Sequence, residues 1–381
     1  MLSTIVVPLD GSALAEQALS YATRIAKSAG AKLLLVRAPV GVPESSAPDS
    51  RPSVPTPAGA FLDELDARSE LARIASRLEV GGLEVETHVH TGEAAAVILD
   101  VARNRHAELI VMSTHGRGGF GRWLYGSVAD QILRQSPVPV LLATAACSPP
   151  WPEDRRLRIV VPLDGSPMAE AALGTIGDFA ALVGADLLLL RVVEPAPRGV
   201  SAQAPHVAET YLQTELSESL GYLRLIANGL MSRGLAAAAR TVVGYPPLAI
   251  ASITKEQGAD IIAMATHGSG GLSRLIAGSV ATETLQRASV PLLLIRPAVA
   301  GQREAAVAML EPTPIEKTAI PAVDVRLNQY ELDLLLRGLG EILYAPDRDV
   351  RLVEPARELR MRLKHVEAEL FQPNDGRAVR D

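Results

Sequence analysis

The chain of 381 residues contains one stretch of sequence twice. The segment I-V-V-P-L-D-G-S begins at Ile5 and recurs unchanged at Ile159, 154 residues further on. The tripeptide T-H-G begins at Thr114 and recurs at Thr266, at a spacing of 152 residues. A period of this length matches a whole domain and far exceeds the unit of a solenoid repeat. The sequence therefore predicts two copies of one domain.

The repeat divides the chain into five regions. A linker with three prolines separates the two copies, and a second linker follows the second copy. The last region has two helical patterns and a polar tail, with no counterpart in the repeat. The predicted bounds are 1–146 for the first domain, 147–156 for the linker, 157–297 for the second domain, 298–323 for the second linker and 324–381 for the helical extension.

Within each copy, short apolar runs alternate with helical patterns. In the first copy we predict strands at 3–9, 32–36, 85–89, 109–112 and 138–142, and helices at 13–29, 60–78, 93–104 and 127–135. The fifth strand of the second copy is predicted at 290–295. Apolar strands alternating with helices are typical of a parallel sheet that is covered on both faces. Each copy is therefore expected to be a doubly wound α/β domain.

The helical patterns of the 60–78 segment and of the C-terminal extension allow more detailed predictions. Helical spacing in the 60–78 segment predicts that its inner side holds Leu62, Leu65, Leu71, Ile74 and Leu78. In the C-terminal extension, two further amphipathic patterns predict a small helical hairpin. The hairpin either covers a sheet edge or serves as an oligomerisation or docking element, and the sequence leaves both open.

Composition excludes several classes of function. The net charge of −6 and an aromatic content of 3% argue against a surface that binds nucleic acid through phosphates or base stacking. The single cysteine, Cys147, permits no intramolecular disulfide. There is no signal-peptide pattern and no apolar stretch long enough to cross a membrane. We expect a cytoplasmic protein with no nucleic-acid or membrane partner.

The distinctive residues of both copies follow the first and fourth strands. Open α/β sheets bind ligands at the carboxyl ends of their strands, where the strand order reverses. Asp10 and Asp164 follow the first strands, and a glycine-rich segment after the fourth strand leads to Gly126-Ser127 at a predicted helix start. Free backbone N–H groups at a helix N-terminus bind phosphate, and glycines let the backbone approach it closely. This pattern favours a phosphate-binding site.

Simpler interpretations exist for the same residues. Ser127 with Asp130 has the spacing of a capping box, which can coexist with phosphate binding. Asp10 and Asp164 suit helix caps as well as acceptors for a ribose or adenine group. Gly116, Gly118 and Gly121 form G-x-G-x-x-G, but after the wrong strand for a dinucleotide fingerprint.

Motifs for catalysis or metal binding are missing from the sequence. It contains no Walker lysine motif, no G-x-S-x-G elbow and no H-x-G-H. His115 and His267 are isolated from other zinc ligands. A hydrolase or nucleotidyl transferase is therefore disfavoured.

At these residues the chain resembles a tandem universal stress protein over about residues 1–297. The resemblance rests on V-P-L-D-G-S, on T-H-G and on the family's ATP-site pattern G-x-x-G-x(9)-G-[ST]. The second half of that pattern is intact in both copies. Its first glycine is replaced by Ser113 in the first copy and Ala265 in the second.

The resemblance implies a fold and a ligand. It implies sheets of order 3-2-1-4-5, pairing of the two domains through their fifth strands, and a nucleotide-binding regulator that at most hydrolyses ATP slowly. The implied ligand is ATP or AMP, with Mg²⁺ as a possible companion, and a homodimer and an unknown protein partner are further possibilities. The implied site residues are Asp10, Ala38, Gly116, Gly126, Ser127 and Val128 in the first copy and Asp164, Val192, Gly268, Gly278, Ser279 and Val280 in the second.

Two points stay open from the sequence. The chain could instead be an interaction module whose nucleotide sites are closed by Ser113 and Ala265 and whose C-terminal helices recruit a partner. If both sites bind nucleotide, the more glycine-rich loop and Arg117 of the first copy, where the second has Ser269, favour tighter binding there.

Overall fold

The structure is a computed structural model that describes residues 2–39, 57–114, 126–147, 151–195, 205–266 and 278–296. All of these residues fall within one compact unit of the chain. The predicted C-terminal helices and the glycine-rich loops after the fourth strands lie outside the described residues.

Both copies have the predicted alternation of strands and helices. The first contains β1 Thr4–Pro8, α1 Ala13–Ala29, β2 Lys32–Arg37, α2 Pro57–Val80, β3 Val85–Val89, α3 Ala94–Asn104, β4 Leu109–Thr114, α4 Ser127–Gln135 and β5 Val140–Thr144. The second contains β6 Leu157–Pro162, α5 Pro167–Ala171, α6 Leu173–Val183, β7 Ala185–Val193, α7 Pro205–Ser232, β8 Ala237–Val243, α8 Pro246–Glu256, β9 Ile261–Ala265, α9 Ser279–Arg287 and β10 Leu292–Ile295.

The strands form one sheet that runs through both copies. Its order is β3-β2-β1-β4-β5-β10-β9-β6-β7-β8, so each copy has the predicted order 3-2-1-4-5. Strands within a copy pair in parallel, whereas β5 and β10 pair antiparallel, with Leu293 opposite Leu141. The expected pairing through the fifth strands is therefore confirmed. It extends two five-stranded sheets into a single ten-stranded sheet.

The core forms a layer on each face of the sheet. Ile5 and Val7 of β1 belong to one layer, while Val6 between them belongs to the other. This alternation is what a strand buried on both faces requires. Each layer contains residues of both copies, so the two domains share their apolar core. Among the described helices, none has both the length and the apolar character needed to cross a bilayer.

Helix α2 corrects one part of the sequence prediction. Leu71 and Ile74 are buried as expected, but Leu62 and Leu65 are 58% and 49% exposed. A helix of 24 residues is about 36 Å long, whereas strands of five or six residues span less than about 20 Å. The first turns of α2 therefore extend past the sheet, and its described buried side chains begin at Ala67.

The fifth strands begin two residues later than predicted. Before β5, the Ser136 hydroxyl accepts from the Val138 N–H and donates to the Val138 carbonyl, so Val138 belongs to a turn. Pro139 follows and has no N–H to donate to a neighbouring strand. The second copy behaves similarly, since β10 begins at Leu292, after Pro291.

The described part of the predicted linker packs against both copies. Trp151 is buried, and its ring lies 4.8 Å from the Tyr21 ring of α1. Its indole N–H donates to the Asp260 carbonyl, and Arg155 makes a two-pronged contact with the Asp260 carboxylate at 2.7 and 2.8 Å. The linker therefore connects α1 of the first copy with the segment before β9 of the second.

Candidate functional site

The turns that follow β1 and β6 have the same hydrogen bonds. Ser12 and Ser166 are the N-caps of α1 and α5, and their hydroxyls accept from the backbone N–H three residues on. The carboxylates of Asp10 and Asp164 accept from the backbone N–H of these serines, at 2.8 and 3.0 Å. The interpretation of the aspartates as helix caps is therefore wrong, because the serines do the capping.

Glycine is required between each aspartate and serine. Gly11 and Gly165 have φ values of +86° and +74°, which disfavour side chains. A Cβ at Gly11 would lie 2.9 Å from Nη2 of Arg37, and a Cβ at Gly165 would lie 2.9 Å from Nη1 of Arg191. An arginine at the end of the second strand of each copy thus rests against the Asp-Gly-Ser turn.

The backbone beyond these arginines reaches the same edge of the sheet. Ala38 follows β2 directly, and Val192 lies near the end of β7; both are half-buried. The Leu9 N–H donates to the Val36 carbonyl at 2.8 Å, and the Leu163 N–H donates to the Leu190 carbonyl at 2.9 Å. These bonds hold the turn after the first strand beside the end of the second.

Helices α4 and α9 begin as the site prediction requires. Gly126 and Gly278 are their N-caps, and Ser127 and Ser279 are their first helical residues. Within the described part of the chain, neither N-terminus receives a side-chain capping hydrogen bond. The capping-box interpretation of Ser127 is therefore wrong, because the helix starts one residue too early for that serine to cap it. Val128 and Val280, the next residues, pack against the core.

In the second copy a hydrogen bond joins the start of α9 to the residue that follows β9. The Gly278 N–H donates to the carbonyl of Thr266, which follows β9, and the Thr266 N–H donates to Ile295 of β10. The start of α9 is thereby held at the carboxyl end of β9. The two glycines differ in conformation, since φ is +73° at Gly126 but −52° at Gly278. A side chain at Gly278 would therefore face less backbone strain than one at Gly126.

Some of the remaining predicted site residues lie outside the part of the chain that the structure describes. Gly116 and Gly268 lie outside the described residues, as do His115 and His267. Ser113 and Ala265, which replace the first motif glycine, lie within β4 and β9. The Ser113 hydroxyl is buried and has no hydrogen-bond partner among the described residues.

Sequence reasoning did not identify Arg37 and Arg191 as site residues. Comparison of the copies could have found them, because they occupy equivalent positions 154 residues apart and precede the backbone expected to border adenine. Their surroundings differ. Arg37 forms an ion pair with Glu70 of α2, whereas the Arg191 guanidinium contacts the Leu163 carbonyl at 3.5 Å.

Within the described ranges, no cluster of three or more histidine, cysteine or acidic side chains could hold a metal ion. Cys147 is buried, and burial raises the pKa of its thiol. A thiol in that environment stays protonated and is a poor nucleophile.

Sequence comparison matches the Universal stress protein family over residues 1–144 and 156–296. The chain belongs to this family and contains two family domains in tandem. A universal stress protein of Mycolicibacterium smegmatis is 27% identical over 307 residues, which cover 77% of this chain and 97% of that protein. One from Thermus aquaticus is 32% identical over 142 residues, covering 37% of this chain and 98% of the relative.

Solved structures support the same fold. A universal stress protein from Archaeoglobus fulgidus aligns with a TM-score of 0.59 at 20% sequence identity, covering 79% of this chain and 98% of that one. One from Pseudomonas aeruginosa aligns with a TM-score of 0.51 at 17% identity, covering 81% and 96%. At these identities the likeness concerns the fold alone.

Proposed function

We propose that this protein binds adenine nucleotides, ATP or AMP, at one site in each domain and acts as a regulatory or stress-response factor. The observation that carries the proposal is the start of α4 and α9. Both helices present Gly-Ser, with no side-chain cap from the residues that the structure describes, at the edge of the sheet that carries the Asp-Gly-Ser turns. Uncapped N–H groups and the helix dipole attract phosphate.

The other predicted residues have roles consistent with a nucleotide. Asp10 and Asp164 are exposed at the turns, and a carboxylate accepts hydrogen bonds of the kind that a ribose or adenine group donates. The backbone at Ala38 and Val192 would border the adenine ring. The phosphates would lie on Gly126, Ser127 and Val128 in one copy and on Gly278, Ser279 and Val280 in the other. Gly116 and Gly268 complete this proposed set.

The chemistry of the described residues favours binding over turnover. A bound Mg²⁺ would be held mainly by the phosphates, as is usual for this ion. The described residues form no group of three or more histidine, cysteine or acidic side chains that could hold a catalytic metal ion. The proposed activity is therefore recognition, with slow ATP hydrolysis by water as the upper limit.

The proposal is tested by mass spectrometry of small molecules released from purified protein, with a Gly278→Val variant for comparison. Valine fits the backbone of Gly278 but places methyl groups where the phosphates would lie. The control is Gly229→Val in α7, where an added Cβ has no described atom within 4 Å. We expect adenine nucleotide from the wild type and the control, and less from Gly278→Val. A wild type that releases no nucleotide and shows no change in melting temperature with ATP contradicts the proposal.

A further inference from the structure

The two candidate sites differ in the side chains at the end of the sheet that is expected to border the base. In the second copy, Val192 of β7 and Val242 of β8 stand opposite each other in the sheet and pack against the same core layer. The equivalent residues of the first copy are Ala38 and His90. His90 is exposed, and its backbone N–H donates to the Arg37 carbonyl at 3.2 Å, which holds it beside Ala38. An apolar pair in one domain is therefore matched by a smaller and more polar pair in the other.

The apolar pair lies on the same face of the sheet as the start of α9. Val280, in the first turn of α9, packs against the core layer that Val192 and Val242 also contact. Only β6 separates β7 from β9 in the sheet, so these two strands lie two strand spacings, or about 10 Å, apart. A nucleotide with its base on the two valines would therefore direct its phosphates toward the start of α9.

Tyr245 lies between the ends of these strands and α9. It follows Gly244, whose N–H donates to the Val193 carbonyl at 3.0 Å, and it is the N-cap residue of α8. Its hydroxyl donates to Glu283 of α9 at 2.8 Å. This hydrogen bond raises the pKa of Tyr245, and the charge of Glu194, the residue that follows β7, raises it further. Tyr245 is therefore held between the end of β7 and the helix that the proposed function assigns to the phosphates.

The Tyr245 ring is available to a ligand and is already oriented. It is 48% exposed, and the hydrogen bond of its hydroxyl fixes its direction. Bases stack on exposed aromatic rings, and a ring that is oriented beforehand loses little conformational freedom on binding. The first copy has Glu93 at this position, and its carboxylate accepts from Gln131 of α4 at 3.2 Å. Both copies thus link these two helices through a hydrogen bond, but only the second uses an aromatic ring to do so.

We propose that Tyr245 is a base-stacking side chain of the second domain and that Val192 and Val242 form an apolar wall beside it. The inference rests on the proposed function and adds a preference: the second domain is the tighter site for the nucleoside part of the ligand. In the first domain, polar side chains at the positions of Tyr245 and Val242 must lose water to contact a base, which weakens binding. The Arg117 loop, which favours the first domain, is expected to act on the phosphates, so adenosine separates the two effects.

The test is isothermal titration of nucleotide-free, full-length protein with adenosine and, separately, with ATP. The main variant is Tyr245→Ala, while Tyr245→Phe keeps the ring but breaks the hydrogen bond to Glu283 and so separates stacking from a purely structural role. The control is Tyr211→Ala in α7, a helix on the other face of the sheet, where the lost side chain is similarly exposed, at 51%. A fourth variant, Glu93→Tyr, introduces a ring in the first copy. Circular dichroism verifies that each variant is folded.

We expect Tyr245→Ala to weaken adenosine binding at the tighter site about tenfold, a loss typical of one base stacked on an aromatic ring. Tyr245→Phe should keep most of the affinity, and Glu93→Tyr should strengthen the weaker site. The inference is overturned if Tyr245→Ala matches the Tyr211→Ala control, if Tyr245→Phe loses as much affinity as Tyr245→Ala, or if Glu93→Tyr leaves the weaker site unchanged. A wild type that binds ATP in any of these cases shows that this inference alone fails. If the wild type binds neither ligand, the proposed function fails with it.

Discussion

At the scale of residues, the repeated Asp-Gly-Ser segment performs three structural tasks. The aspartate fastens the turn, the glycine adopts positive φ against an arginine, and the serine caps the next helix. These tasks account for much of the sequence identity between the copies without any ligand. Evidence for a binding site therefore comes from a feature that the turn does not need, the Gly-Ser starts of α4 and α9.

Asp260 is the residue on which the linker contacts converge. Its side chain is 7% exposed. The carboxylate accepts two hydrogen bonds from the Arg155 guanidinium and one from the Arg158 backbone N–H. Asp260→Asn removes the charge and turns an amide donor toward these donors. We expect a loss of about 2–4 kcal/mol in the free energy of unfolding, measured with urea.

The matched control is Asp178→Asn, at an ion pair with Arg233 whose carboxylate is 79% exposed. Exposed pairs contribute little, so the change should stay within about 0.5 kcal/mol. Similar losses from both variants would contradict the role assigned to Asp260.

At Tyr21, unlike Asp260, removal of a polar group is not expected to lower the free energy of unfolding. Its side chain is 1% exposed, and its hydroxyl has no hydrogen-bond partner within the described ranges. Tyr21→Phe removes a buried polar group and keeps the ring contact with Trp151, so we expect stability to stay level or rise by up to about 1 kcal/mol. Tyr21→Ala should cost about 3–5 kcal/mol by leaving a cavity. A clear loss in Tyr21→Phe, measured by thermal unfolding, would contradict this assignment.

At the scale of elements, local signals decided which predictions were accurate. The bounds of α1 were predicted to the residue, because Ser12 caps its start and Gly30 ends it in the left-handed conformation. The inner side of α2 was predicted only in part, because helical periodicity does not indicate where the sheet beneath it ends. The sequence likewise identified the start of α4 but assigned the cap to Ser127, one residue beyond Gly126.

His88 lies in β3, at one end of the sheet, and we expect it to make the free energy of unfolding depend on pH. His88 is buried, and burial, opposed by Glu86 and reinforced by Arg105 and His90, lowers its pKa. A histidine whose pKa is lower in the folded state stabilises the fold above its unfolded pKa of about 6.5. That contribution is lost as the pH falls through the folded pKa, because the unfolded chain binds the proton more readily.

We therefore expect urea unfolding midpoints to fall between pH 7.5 and pH 5, and to fall less in His88→Gln, which cannot take up the proton. The comparison uses the difference between the two proteins at each pH, since other groups also titrate. Equal slopes in wild type and variant would show that His88 does not contribute.

At the scale of the whole molecule, the antiparallel pairing of β5 and β10 joins the domains. The duplication was evident from the sequence, but the joint was expected only from the family resemblance. No local pattern in either strand specifies its partner, because both are buried throughout and, apart from Thr144, apolar.

The shared core predicts cooperative unfolding of the two domains. We expect a single calorimetric transition for the wild type. Leu293→Lys places a charge at a position that is 1% exposed, opposite Leu141, and should split the transition in two or lower its midpoint by several degrees. Leu225→Lys, at a site that is 67% exposed, should leave it unchanged. Two transitions in the wild type would contradict the joint core.

In the proposed function, each domain binds one adenine nucleotide. Its most direct test is the stoichiometry of ATP binding to nucleotide-free, full-length protein, measured by equilibrium dialysis at saturating ATP. We expect two molecules of ATP per chain, falling to one in Gly278→Val. No binding by the wild type, or an unchanged stoichiometry in the variant, would contradict it.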